Sequence, residues 1–142
     1  MRLRICGTCA AALMAVALSF TGPGLAQEAR NPGIEATIRN QFDAFLAEDA
    51  ARAFTFASPS IKQMFGSADR FGMMVQNAYP MVWQPSDVKM LELREVAGAL
   101  WQRVMVRDAA GEIHMLDYQM IETAEGWQIN GVQLLPQIGV GA

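Results

Sequence analysis

The stretch Tyr79-Pro80-Met81-Val82-Trp83-Gln84-Pro85 divides the sequence into two parts with different hydrophobic patterns. Before it, apolar residues recur every three or four positions, which is typical of amphipathic helices. After it, apolar and polar residues alternate, which is typical of strands. Helices first and strands last predict an α+β fold, with N-terminal helices packed on a curved antiparallel sheet of four to five strands.

The first helix has the clearest signal in the N-terminal part. We predict it over about residues 32–47, because its apolar residues form one stripe at helical spacing. That stripe consists of Ile34, Ile38, Phe42, Phe45 and Leu46. Asn31 is suited to the N-cap position, and Pro32 is tolerated at the first helical position.

Three further helical segments are predicted before residue 80. Asp49 can cap a second helix, which ends at Ser58-Pro59. Residues 60–65 form another helical turn that stops at Gly66. Ser67 can cap a third helix, in which an internal glycine lowers the intrinsic helix propensity.

The C-terminal part predicts an antiparallel meander. Strand-like runs occupy about residues 88–96, 99–107, 112–122 and 126–135. A short additional strand is predicted at residues 81–83. Turn signals separate the longer runs, and the connections are too short for the crossover that parallel neighbours need.

Residues 1–26 predict a cleavable signal peptide. Arg2 and Arg4 precede an apolar run of about 16 residues that is too short to span a bilayer, and a small-residue cleavage site ends at Ala26. We therefore expect residues 27–142 to form a single periplasmic or secreted domain, with no membrane contact after cleavage.

Composition narrows the function classes. Cys6 and Cys9 both lie within the apolar run of the signal peptide, so the CxxC spacing there does not indicate a redox site. The mature chain would hold nine basic against fourteen acidic residues, a net charge of −5. It has no basic stripe, so nucleic acid is not an expected partner.

The last strand carries a resemblance to a known superfamily. The run Trp127-Gln128-Ile129-Asn130-Gly131, after a turn, resembles the nuclear transport factor 2-like superfamily, which includes the SnoaL-like proteins. Together with Phe65-Gly66, Phe71-Gly72, Tyr79-Pro80 and Tyr118, it is most similar to the bacterial domain-of-unknown-function family 4864 over nearly all of residues 31–136. The resemblance implies a cone-shaped fold with a pocket. It implies no catalytic residue.

Asp117 and His114 are the weak catalytic candidates. Arg103 on the preceding strand could face Asp117, which favours a cross-strand ion pair. The alternative is a carboxylate with a raised pKa that abstracts a proton. His114 is the single histidine and could act as a general base, although its position beside a turn favours a solvated or singly hydrogen-bonded side chain. No set of metal-spaced ligands accompanies it, and we predict no metal or cofactor.

Aromatic residues define the predicted pocket. Its candidates are Trp83, Trp101, Tyr118 and Trp127, with Arg103 as the polar anchor. An aromatic-rich sheet without a catalytic set favours noncatalytic binding of a small apolar ligand or a protein partner. Two alternatives stay open: a cofactor-free isomerase or lyase that uses Asp117 or His114, and a structural homodimer that assists an exported complex.

Overall fold

The computed structural model describes residues 30–136, and the signal peptide predicted at residues 1–26 lies outside the described residues. Within them, five helices precede four strands, which confirms the predicted α+β fold. The helices are α1 (Pro32–Leu46), α2 (Ala50–Thr55), α3 (Pro59–Phe65), α4 (Ala68–Ala78) and α5 (Pro80–Trp83); the strands are β1 (Asp87–Val96), β2 (Ala99–Arg107), β3 (Ile113–Thr123) and β4 (Gly126–Leu134). None of the helices in this part of the chain has the length and hydropathy to cross a membrane.

Side-chain caps determine where the first four helices begin. The side chains of Asn31, Asp49, Ser58 and Ser67 each accept a hydrogen bond from a backbone N–H in the first turn that follows. These bonds satisfy donors that have no partner inside the helix. Gly66 ends α3 with a φ of 77°, a left-handed conformation that favours glycine.

The prediction of a strand at residues 81–83 is wrong, because these residues belong to the single helical turn α5. The backbone N–H groups of Val82 and Trp83 donate to the carbonyl of Tyr79 at 2.8 and 3.1 Å. Pro80 begins this turn, where its fixed φ fits a helix and its missing N–H costs nothing. Three apolar residues are too few to show a period. Their hydrophobicity therefore indicates burial but does not distinguish a strand from a helical turn.

The sheet is a curved, open meander in the order β1-β2-β3-β4, with every neighbouring pair antiparallel. The register shifts between Met90 and Leu93 and again between Gln119 and Met120. Such bulges bend a strand and increase its twist. The outer edge of β4 is partly covered, because the link between α2 and α3 pairs with it: Ser58 N–H donates to the carbonyl of Ile129 at 2.8 Å.

Alternation along β2 and β3 separates two faces of the sheet. The inner face carries Val104, Leu116 and Tyr118, which are buried with α1 residues such as Ile38 and Phe45 in the core. The opposite face, here called the outer face, carries the residues between them, such as Arg103 and its register partner Asp117. The helices pack on the inner face, so any space they leave lies there.

Candidate functional site

A cavity of about 350 Å³ lies between the helices and the inner face of the sheet. This volume lies in the range of small-molecule pockets. Helices α1, α3, α4 and α5 form one side, and β3 and β4 form the other. Most of its wall is apolar, with contributions from Phe45, Ile61, Phe65, Phe71, Val75 and Val132.

An aromatic cluster holds one side of the cavity in place. The Phe71 ring in α4 lies at centroid distances of 5.3 Å from Phe54, 5.5 Å from Phe65 and 5.9 Å from Phe45. Aromatic pairs at such distances contribute beyond the area they bury. Because these rings come from four different helices, the cluster ties α1, α2, α3 and α4 together around the cavity.

Four polar side chains contribute to the wall of the cavity: Gln41, Tyr79, Tyr118 and Asn130. Gln41 donates through Nε2 to the carbonyl of Ala53 at 3.2 Å. Asn130 accepts from Ser58 Oγ at 2.8 Å and donates to Gln119 Oε1 at 3.1 Å. Among the described residues of the wall there is no Asp, Glu, Lys, Arg or His, so the wall carries no charge at neutral pH.

Tyr118 differs from the other polar residues because its hydroxyl is buried and has no hydrogen-bond partner. An unpaired buried group of this kind costs about 1–3 kcal/mol. Burial raises the pKa of Tyr118 above the usual value of 10.0, and its neighbour Tyr79 raises it further. The phenol is therefore protonated at every physiological pH and offers a hydrogen-bond donor.

The structure does not bring the five predicted pocket residues together. Tyr118 lines the cavity. Trp83 packs its ring 5.5 Å from that of Phe45, outside the set of wall residues. Trp127 lies beside the first turn of α1, where a Cβ on Gly33 would come within 2.8 Å of the indole.

Trp101 and Arg103, the remaining two predicted pocket residues, lie on the outer face of the sheet, since their register partners are Gln119 and Asp117. The polar anchor predicted at Arg103 is thus separated from the cavity by the sheet itself. Tyr118 is the wall residue whose buried hydroxyl has no hydrogen-bond partner.

The predicted cross-strand ion pair between Arg103 and Asp117 is confirmed. Arg103 Nε donates to Asp117 Oδ1 at 2.7 Å, and Arg94 Nη2 donates to Oδ2 at 2.9 Å. The Asp117 side chain is 8% exposed. Burial alone would raise its pKa, but the two arginines outweigh burial and hold the pKa of Asp117 below its usual 3.8. The raised pKa that proton abstraction needs is therefore not present, and the carboxylate faces away from the cavity.

His114 is the second residue of β3, beside the turn that follows β2, and its Nε2 is 2.8 Å from Asp108 Oδ2. Contrary to the expectation that no ligand set accompanies it, the turn brings ligand atoms of Asp108, Glu112 and His114 within 4.8 Å of one another. A turn, and not a spacing motif, assembles this cluster, so the sequence carries no clear signal for it. Asp108 Oδ1 already accepts from the backbone N–H groups of Ala110 and Glu112, so the turn itself accounts for the arrangement.

Comparison with known proteins identifies a family but no activity. The family model described as a domain of unknown function (DUF4864) matches residues 27–142. The search of curated proteins and the search of solved structures each found no match. The assignment of function therefore depends on the geometry described above.

Proposed function

The chain belongs to the DUF4864 family, and we propose that its domain binds a small apolar molecule in the cavity without transforming it. The observation that carries this proposal is the cavity itself, with its volume of about 350 Å³ and its aromatic and aliphatic wall. Burial of an apolar ligand contributes roughly 25 cal/mol per Å² of apolar surface removed from water, so hydrophobic contact alone supplies affinity.

Binding is favoured over catalysis by the chemistry of the wall. A cofactor-free isomerase or lyase needs a general base or acid within hydrogen-bond reach of its substrate. The wall that the described residues form offers no carboxylate, imidazole or amine, and both candidates, Asp117 and His114, lie outside it. A phenol held protonated by burial is a poor base, which leaves positioning as the role of Tyr118.

The same proposal includes a fold family and a compartment. The order of elements, with helices closing one face of a bent meander, supports a cone of the nuclear transport factor 2-like type. The charged, apolar and small-residue segments of residues 1–26 support export to the periplasm or beyond. We therefore propose a ligand that is available outside the cytoplasm.

The test uses N-phenyl-1-naphthylamine, a neutral apolar fluorophore that brightens when it leaves water. Two adjacent residues of α4 give a matched pair: Met74 lines the cavity, whereas Met73 is 61% exposed and is not part of the wall. We expect the wild-type protein to bind one probe per chain. Met74→Trp fills the cavity and should weaken binding at least about tenfold, and Met73→Trp should leave it unchanged.

Two results would contradict the proposal. The first is no change in probe fluorescence with the folded wild-type protein. The second is an equal effect of the two tryptophan substitutions, which would place the probe on the protein surface and not in the cavity.

A further inference from the structure

Two buried side-chain atoms in the described part of the chain have no hydrogen-bond partner, the Tyr118 hydroxyl and Gln128 Oε1. Of the two residues, Tyr118 lines the cavity and Gln128 does not. Buried polar groups are almost always paired, so an unpaired one indicates a missing partner or a functional reason. A ligand in the cavity is the partner that the position of Tyr118 makes available.

The other polar residues of the wall are less suited to this role. Gln41 donates through Nε2 to the carbonyl of Ala53, and Asn130 uses both its oxygen and its nitrogen in hydrogen bonds to Ser58 and Gln119. Tyr79 is half-buried, so solvent can reach it. Tyr118 is thus the wall residue whose hydroxyl is both fully buried and without a hydrogen-bond partner.

The absence of charge in the described wall restricts the ligand in a second way. A carboxylate or ammonium placed in the cavity would lose its hydration without gaining a counter-charge, which strongly disfavours binding. Arg94 and Arg103 cannot compensate, because both lie on the outer face and bind Asp117. The ligand that fits is neutral.

We infer that the cavity selects neutral apolar molecules that carry a hydrogen-bond acceptor, such as a ketone or ester carbonyl, and that the Tyr118 hydroxyl is the group that recognises this acceptor. The inference rests on the proposed function and adds the ligand class and the specificity-determining residue. The hydroxyl donates to the acceptor oxygen, and the alkyl part of the ligand contacts the aromatic cluster around Phe71.

Two probes of equal shape isolate this hydrogen bond. 2-Nonanone carries a carbonyl oxygen where 2-methyl-1-nonene carries a methylene group. Each is titrated against protein loaded with N-phenyl-1-naphthylamine, for the wild type, for Tyr118→Phe and for Gln128→Met. The last variant removes the other unpaired oxygen, outside the cavity, and serves as the control.

Tyr118→Phe should raise the dissociation constant of the ketone about fivefold and leave that of the alkene unchanged, since an ordinary net hydrogen bond corresponds to about two- to twelvefold in affinity. Gln128→Met should change neither. Nonanoate at neutral pH should displace the fluorophore at least about tenfold less well than 2-nonanone does.

The outcomes separate this inference from the proposed function. If the fluorophore and both probes fail to bind the wild-type protein, the proposed function fails. If both probes bind and Tyr118→Phe changes their affinities by the same factor, the cavity binds ligands but Tyr118 does not recognise an acceptor. If nonanoate competes as well as the ketone, the restriction to neutral ligands is overturned.

Discussion

Asp117 and Tyr118 are neighbours in β3, yet their side chains lie on opposite faces of the sheet. Asp117 accepts hydrogen bonds from Arg94 and Arg103 on the outer face, whereas Tyr118 lines the cavity on the inner face. The backbone of a single strand therefore separates a charged network from an uncharged binding wall. This separation lets the two groups be tested independently.

Asp117 should stabilise the folded protein to an extent that depends on pH. Because the arginines hold its pKa below 3.8 in the folded state, the ionised form is favoured by folding. The resulting stabilisation is present above the unfolded pKa and is lost as the pH falls through the folded pKa. Asp117→Asn should lower the free energy of unfolding at neutral pH by about 2 kcal/mol, measured by urea denaturation.

The pH dependence distinguishes this ion-pair effect from simple loss of packing. The stability difference between wild type and Asp117→Asn should shrink as the pH falls below the usual carboxyl pKa of 3.8. Asp43→Asn, at an exposed position of α1, should change stability by less than about 0.5 kcal/mol at every pH. A stability difference between wild type and Asp117→Asn that does not change with pH would contradict the ion pair as the source of the stabilisation.

Tyr118→Phe should not destabilise the ligand-free protein. The substitution removes a hydroxyl that has no partner, so the free energy of unfolding should be unchanged or about 1 kcal/mol higher. Above about pH 10 the wild type should lose stability, because the unfolded state releases the Tyr118 proton and the folded state keeps it. The variant should lack this loss. A marked decrease in stability at neutral pH would show that the hydroxyl has a partner after all.

Ser58 is predicted to stabilise more than an ordinary helix cap does. Its hydroxyl caps α3 through Ile61 N–H and also donates to Asn130 Oδ1, so it connects the helix to β4 beside the cavity. Ser58→Ala should cost about 2 kcal/mol and increase hydrogen exchange in α3. Ser67→Ala removes a cap of the same kind from α4 without a link to the sheet, and about 1 kcal/mol is expected. Equal losses would show that the bond to Asn130 contributes nothing.

Gly72 should be required in α4 although glycine is a poor helix former. A Cβ at this position would lie 2.8 Å from Cβ of Ala50 in α2, so the two helices could not keep their present distance. Gly72→Ala should therefore lower the melting temperature, despite a propensity gain of about 1 kcal/mol. Adding Ala50→Gly should restore part of the loss. A single variant that is more stable than the wild type would contradict this close contact.

The sequence predicted the elements well because their signals are local. Asn31, Asp49 and Ser67 cap helices where they were expected, and the antiparallel meander follows from short connections. The short segment at residues 81–83 was mispredicted because a single turn has no measurable period.

The site was less predictable because it depends on which face of the sheet the helices cover. Alternation alone does not show whether Arg103 in β2 and Tyr118 in β3 share a face of the sheet. Because Tyr118 pairs with Gln102, the neighbour of Arg103, Tyr118 and Arg103 lie on opposite faces. The wall residues of α3 and α4 were not singled out, because their helical stripes look like ordinary core. An unpaired hydroxyl has no sequence signal at all.

The most direct measurement records methyl resonances of the protein labelled with ¹³C in its methionine methyl groups, with and without 2-nonanone. Met64 and Met74 line the cavity, whereas Met105 and its register partner Met115 lie on the outer face. A ligand in the cavity should shift the resonances of Met64 and Met74 in a saturable manner and leave those of Met105 and Met115 in place. Saturable shifts confined to Met105 and Met115, or no saturable shift at any methionine, would contradict a ligand site between the helices and the sheet.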